Sequence, residues 1–362
     1  MKFSTLHLSS FLVFLVLHLG ESSQLRAESF DEKISDGPYV SIKEKQLDYR
    51  YICNDEVHSS KKTIESLPNQ FDYCGMFAEI STLEVKEDFV EYTGNFPVAA
   101  LSDLHGQYDL MKTLLINNGI IDELGNWEFG KGHFVITGDI FDRGDKVTEI
   151  LWLIYRLEQQ AEAAGGKVHL LLGNHEVMVL NGDLRYLHPK YLKTEKLLST
   201  NFQDLFSVDT VLGQWLRSKS VLVKINNALY AHGGFHPTLA KEEYSLEQIN
   251  RVFKENLIKS ELPEKRTGFG KFLHRRDGPI WYRGYFKDDG ATPAEIDLLL
   301  SHFEVSYLIV GHTSQDEIET RHYGKVIAID SSIKKGKYGE ILHINGKKLE
   351  RGTLSGKLLP LE

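Results

Sequence analysis

At 362 residues the chain has room for one large domain or two modest ones, with a core of ordinary size. Its 41% hydrophobic and 26% charged residues are globular proportions, and no Pro/Gly-rich tract points to disorder. A formal charge of −9 argues against a nucleic-acid partner, which needs a basic face, so any phosphate handled here must meet a local positive site.

Lys2 precedes an apolar run from Phe11 to Leu19, and Gly20-Glu21-Ser22 has the small-x-small form of a cleavage site. This predicts a signal peptide over 1–22 and an exported protein, periplasmic or secreted, or lumenal in a eukaryote. The run is too short to span a bilayer comfortably, a retained anchor being its plain rival, and no second one follows, so no membrane span is expected after cleavage. Residues 23–95 read as an N-terminal extension with short strands: Tyr39, Ser41 and Lys43 alternate with Val40, Ile42 and Glu44, and Leu47 to Cys53 repeats the pattern. Cys53 and Cys74 both lie in it; in an exported protein they can pair, but sequence supplies no distance. No CxxC or Cys/His cluster surrounds them, so they are not expected to bind metal.

From Phe96 onward, apolar runs alternate with helical patterns. Pro97 to Leu101, Phe134 to Thr137, Val168 to Leu172, Ala228 to Ala231, Tyr307 to Val310 and Val326 to Ile329 read as buried strands, each ending near Gly, Asp or His. Between them, Val147, Ile150, Leu151, Ile154, Leu157 and Ala161 keep helical spacing up to Gly165-Gly166. Ser245 with Gln248, and Thr292-Pro293, mark two further helix starts. The alternation predicts a layered α/β domain over 96–362, with motifs at successive strand ends converging on one sheet edge. A mostly polar stretch with helical pieces, about 179–220, is expected to form a cap near the site, with Arg185 and Tyr186 as candidate substrate contacts against a plain packing role.

The strand ends carry Asp103-Leu104-His105-Gly106, Gly138-Asp139-Ile140-Phe141-Asp142-Arg143-Gly144, Gly173-Asn174-His175-Glu176, His232-Gly233-Gly234 and Gly311-His312-Thr313. Together they supply enough ligands for two divalent cations side by side. One carboxylate must touch both ions to hold them roughly 3.5–4 Å apart, and Asp139 is the candidate bridge. Asp103 and His105 would complete one metal site; Asn174, His232 and His312 the other. Ligands of N and O without thiolate suit Mn, Fe, Zn or Co. Two such ions with two carboxylates and a bridging hydroxide leave a centre near about +1, able to draw in a phosphate and to lower the pKa of bound water. His175 is spare and suits a general acid for the leaving oxygen, oriented by Asp142. Arg143 and Arg283 are the candidate phosphate clamps, alongside the Asn174 amide, since guanidinium binds phosphate oxygens in pairs. Each residue has a plain rival: Asp-x-His as a turn, Asp142-Arg143 as a helix-start ion pair, Asn174 as a cap, His232 in a tight turn. Asp330-Ser331-Ser332 reads as a strand-ending turn, and His133 and His169 as packing or exposed residues.

In order and spacing these motifs resemble the calcineurin-like metallophosphoesterases, and within them the phosphoprotein phosphatase family. Ser102-Asp-Leu-His-Gly-Gln-Tyr-Asp109, Gly138-Asp-Ile-Phe-Asp-Arg-Gly144, Gly278-Pro-Ile-Trp-Tyr-Arg-Gly284 and Gly311-His-Thr313 are most similar to the Shewanella-like, bacterial-type branch. Ser102 stands where the family has Gly, at a backbone position rather than a ligand. The resemblance implies a central β-sandwich flanked by helices, two divalent metal ions in the roles above, and the His175–Asp142 dyad. It also implies direct attack by a metal-bridging hydroxide on a phosphorylated protein or small phosphomonoester. Val326 to Ser332 occupies the place of late segments typical of eukaryotic Ser/Thr phosphatases, and some members of the branch look like phosphotyrosine phosphatases, which favours phosphotyrosine. Alternatives are a dinucleoside polyphosphate hydrolase, a broad-specificity exported phosphatase and a catalytically silent phosphate-binding module.

Overall fold

The computed structural model describes residues 32–85 and 89–361; the expected export signal over 1–22 lies outside them. Two six-stranded sheets pack face to face. The first runs in the order Leu358–Pro360, Lys348–Thr353, Glu340–Asn345, Val98–Leu101, His133–Ile136, Lys167–Leu170, its last three strands mutually parallel. The second runs Glu319–Arg321, Val326–Ala328, Tyr307–Val310, Ala228–Ala231, Leu222–Ile225, Glu91–Tyr92. There Val326–Ala328, Tyr307–Val310 and Ala228–Ala231 are the parallel set.

Continuous apolar runs follow from burial on both faces. Val98 and Ala100 point between the sheets, meeting Val223, Tyr230, Ile309 and Ile327. Ala99 and Leu101 point the other way, into the larger core shared with the helices. The helix Val147–Ala163 lays its buried stripe, including Ile150, Leu151, Ile154 and Leu157, against this outer face. Ser245 caps Leu246–Glu255 and Thr292 caps Pro293–Phe303 by accepting backbone N–H bonds, as their sequences predict. His133 and His169 are buried: their ring nitrogens lie 2.9 Å apart and Phe96 stacks on His133 at 4.3 Å, which is packing rather than ligation.

The N-terminal segment forms a three-stranded antiparallel sheet of Asp36–Lys43, Gln46–Cys53 and Glu56–Thr63, plus a hairpin of Asn69–Tyr73 and Met76–Ile80. Cys53 and Cys74 are joined by a disulfide that ties the two together. Glu91–Tyr92, although ahead of Phe96, belongs to the sandwich, paired in parallel with Leu222–Ile225. The 179–220 stretch carries the helices Pro189–Leu198 and Val211–Ser218 and is packed into the domain. Phe202 and Phe206 pack on Phe141 of the second motif, and Tyr39 of the N-terminal sheet packs on Phe206. Among the described residues no helix is long and apolar enough to cross a membrane.

Candidate metal centre

The motifs meet where the two sheets present the carboxyl ends of their parallel strands. Asp103 and His105 follow Val98–Leu101, Asp139 follows His133–Ile136, and Asn174 and His175 follow Lys167–Leu170, all from the first sheet. His232 follows Ala228–Ala231 and His312 follows Tyr307–Val310, from the second. One sheet edge therefore becomes two facing edges. Leaving a strand sharply enough to aim a side chain at the gap strains the backbone: Asp103, His105, Asp139, Asp142, Arg143 and His312 all have positive φ, from 42° to 71°. A non-glycine residue held there costs roughly 1–3 kcal/mol, and such strain gathers at functional sites.

Asp139 lies at the focus. Its Oδ2 is 3.6 Å from His105 Nε2, 3.2 Å from His232 Nε2 and 3.8 Å from His175 Nε2. Asp103 Oδ1 is 3.8 Å from His105 Nε2. His232 Nε2 also faces Asn174 Oδ1 at 3.0 Å and His312 Nδ1 at 3.1 Å. Ligand atoms of His105, Asp139 and His175 lie within 4.8 Å of one another, as do those of Asp139, His232 and His312, so Asp139 is common to both groups.

The donor set fits cations. His105 Nδ1–H donates to the Phe141 carbonyl at 2.7 Å and His232 Nδ1–H to the Thr137 carbonyl at 2.9 Å. Each bond fixes the tautomer and leaves the Nε2 lone pair facing the carboxylates. On the second side these lone pairs meet further acceptors, and His312 Nε2 is buried without a hydrogen-bond partner. Acceptors crowded this closely in a buried site call for positive charge between them. Burial holds His105 neutral, its pKa pushed down to about 3, and keeps His312 neutral as well. Burial also opposes charge on His232, yet Asp139 overrides it and raises the pKa to about 9, so the side chains alone already attract a cation there. For Asp139, burial is outweighed by His232, His175 and His105, which hold it well below the usual carboxylate range.

His175 stands beside this centre with its Nδ1 2.5 Å from Asp142 Oδ2. Burial disfavours the charged ring, but Asp139 and Asp142 outweigh it and raise its pKa. Burial raises Asp142 in turn, despite its bond to His175. The Tyr186 ring lies 5.3 Å from the His175 ring, and the exposed Arg143 guanidinium sits 5.2 Å over the same tyrosine. Arg185 is committed to Asp183, its Nε and one terminal nitrogen each donating to a carboxylate oxygen at 2.8 Å. On the opposite rim Arg283 donates to the His312 carbonyl at 3.1 Å and to the Thr313 hydroxyl at 3.2 Å. The loop bearing Arg283 is pinned to the histidine motif: Gly233 N–H donates to the Pro279 carbonyl at 2.6 Å, and a Cβ on Gly233 would come within 2.8 Å of Tyr282 N.

Residues 96–316 match the calcineurin-like phosphoesterases. The chain belongs to the calcineurin-like phosphoesterase family. Shewanella-like protein phosphatase 1 of Plasmodium berghei (strain Anka) is 28% identical to it over 247 residues, 66% of either chain. Shewanella-like protein phosphatase 2 of Arabidopsis thaliana is 27% identical over 295 residues, covering 66% of this phosphoesterase and 72% of the relative. Among solved structures, the cold-active protein-tyrosine phosphatase of a psychrophilic Shewanella species superposes with a TM-score of 0.86 at 43% identity, covering 91% of this chain and 100% of that one.

Three residues of this phosphoesterase have parts that reading the sequence missed. Glu176 is fully buried and its carboxylate accepts from the backbone N–H groups of Gly173, Asp139 and Ile140 at 2.7–2.9 Å, bolting the third motif to the second. Ser102 is more than a backbone position: its hydroxyl accepts from Thr137 and donates to Asp103 Oδ2. Asp330 is no simple turn; it is buried, accepts from Ser314 and Ser332, and is pushed up to about 7 by burial and then by Asp103. The Glu in Gly-Asn-His-Glu was the one signal available in sequence; the other two need the third dimension.

Proposed function

We propose that this phosphoesterase is a binuclear-metal phosphomonoesterase acting on phosphorylated protein, with phosphotyrosine favoured. The observation that carries the proposal is Asp139 Oδ2 standing between His105 and His232, with the His175–Asp142 pair beside it. Asp103 and His105 would hold one divalent ion, Asn174, His232 and His312 the other, with Asp139 shared. When bound, two such ions neutralise phosphate charge and acidify a water. His175 then gives its proton to the leaving oxygen, held in orientation by Asp142 through Nδ1. Arg143 and Arg283 approach from opposite rims, where guanidinium groups can take phosphate oxygens and restrain the phosphoryl group. The Tyr186 ring lies 5.3 Å from the His175 ring and the Trp281 ring 5.6 Å from the His312 ring, and aromatic rings this close to the centre suit an aromatic leaving group. The Shewanella relative's name as a protein-tyrosine phosphatase supports the same preference. The disulfide fits an oxidising compartment and supports the export expected from residues 1–22.

The test separates metal binding from proton transfer. Asp139→Asn should lose bound metal by elemental analysis and all turnover of a phosphotyrosyl peptide. His175→Ala should keep its metal and lose roughly 10²–10⁴-fold in kcat. Full activity in both variants would sink the mechanism; a dinucleoside polyphosphate turned over faster than any phosphopeptide would sink the substrate class.

A further inference from the structure

A cavity of about 1340 Å³ opens beside the metal centre, its wall including Trp281 and Arg283. Both residues also touch the centre, through the ring and the carbonyl of His312. The cavity therefore shares a wall with the centre, at one of the two candidate phosphate clamps. Its volume exceeds the roughly 300–1,000 Å³ of a small-molecule pocket. Eight basic side chains line it against four carboxylates, on a chain whose formal charge is −9.

Most of that positive charge is uncommitted. Lys265, Lys271, Arg275, Arg276 and Lys287 are exposed, and among the described residues none of them has an ion-pair or side-chain hydrogen-bond partner. Of the carboxylates, Glu295 is already bonded to Lys241 at 2.7 Å. Arg266 is drawn inward onto the carbonyls of Asn256 and Leu257, and burial followed by the like charge of Arg275 lowers its pKa. Eight basic groups against four carboxylates leave a net positive wall, whose self-repulsion an acidic ligand relieves.

We propose that this basic cavity binds acidic residues flanking the phosphorylated one, so that the enzyme selects phosphopeptides with glutamate or aspartate near the phosphate. A short acidic peptide fits better than a nucleic acid. A long polyanion would run off the cavity onto a surface of net negative charge, where repulsion offsets the local gain. The inference rests on the phosphoprotein reading, since it presumes a polypeptide attached to the phosphate.

The test uses metal-loaded protein and two phosphotyrosyl peptides of equal length, one with glutamates and one with glutamines on both sides of the phosphotyrosine. The acidic peptide should have a kcat/KM about tenfold higher at low salt, carried by KM, as two or three exposed charge pairs would give. The advantage should shrink in 0.5 M salt, as screening requires (roughly 10 Å Debye length at 0.1 M). It should vanish in Arg275→Ala/Arg276→Ala and fall in Lys271→Ala/Lys287→Ala, the second pair serving if the first fails to fold. Equal kcat/KM for the two peptides in the wild type, or an advantage that survives both double variants, overturns the proposal. Turnover of p-nitrophenyl phosphate tells the two readings apart: its presence without acidic preference sinks the cavity alone. If no phosphomonoester is hydrolysed, the phosphatase reading falls, and polarisation with the labelled, unphosphorylated acidic peptide still decides the cavity by whether wild type binds it more tightly than the variants. Tighter binding of an oligothymidylate of equal charge would also overturn it.

Discussion

Asp103 illustrates how one ligand is built from several partners. Its Oδ2 accepts from the His312 backbone N–H at 2.8 Å and from the Ser102 hydroxyl, leaving Oδ1 turned toward His105. Ser102 fits only because position 311 is glycine: a Cβ there would sit 1.9 Å from Ser102 Oγ. The serine and the glycine are thus one device assembled from two strands, holding the carboxylate in a single orientation. Ser102→Gly should fold, since it removes bulk at a glycine-lined contact, and should weaken metal binding by roughly 10–100-fold, the usual cost of losing a ligand's hydrogen-bond support. Titration of the metal-stripped protein with Mn²⁺ or Zn²⁺ checks this; an unchanged Kd would show that the His312 N–H alone orients Asp103. The candidate ligands were legible from sequence as a group because each is a metal-binding residue type at a strand end. The part Ser102 plays was not, because its hydroxyl bridges Asp103 and Thr137, which lies on another strand.

At the scale of elements, the N-terminal sheet and the 179–220 helices brace the second motif. Asp36, fully buried on the first strand, accepts from the hydroxyls of Tyr39 and Thr194 at 2.7 Å and of Thr148 at 3.1 Å. Lys190 lies 3.6 Å away and donates to the Asp145 carbonyl at 2.6 Å, two residues past Arg143. Tyr191 takes the N–H of Val147 and donates to the same Asp145 carbonyl, closing the turn that leads from the motif into its helix. Asp36→Ala would take the carboxylate away from three buried hydroxyls and remove one of the two carboxylates beside the Lys190 ammonium, which keeps Glu149 at 3.3 Å. It should cost about 3–5 kcal/mol, as breaking a buried charge network does. Urea unfolding measures it, and a loss below about 1 kcal/mol would mean that water or a neighbour replaces the carboxylate. The polar pattern of 179–220 suggested a cap near the site. Phe202 and Phe206 make it part of the core, which two aromatics in a polar stretch do not announce.

For the whole molecule, the disulfide links Cys53 and Cys74 across 21 residues of sequence. Closing a loop of that length removes denatured-state entropy worth about 3 kcal/mol. Cys53→Ser/Cys74→Ser should therefore unfold at lower denaturant while keeping its metal content, because the disulfide lies in the N-terminal segment and the ligands on the sandwich. If metal is lost along with stability, the N-terminal segment and the centre unfold as one unit. The histidines without ligand context settle into structural bonds: His274 donates to the Phe253 carbonyl, His302 to Tyr244 and His322 to Tyr285. Buried donors and acceptors are rarely left idle, and among these three only His274 keeps a buried ring nitrogen, Nδ1, without a partner among the described residues.

The ligand-bearing strand ends were in the sequence from the outset, because a buried strand must be apolar along its length and must end where polar ligands begin. Periodicity alone placed them on one edge of one sheet; the resemblance in motif order supplied the sandwich. Only the tertiary structure divided the ligands between two facing sheet edges and put Asp139 at their junction. It alone joined Glu176 to the backbone of a distant motif and gathered basic residues beside the centre of an acidic chain. The physical reason is common to all three: side-chain chemistry is local and can be read along the chain, whereas orientation, burial and charge density depend on which distant segments the fold brings together.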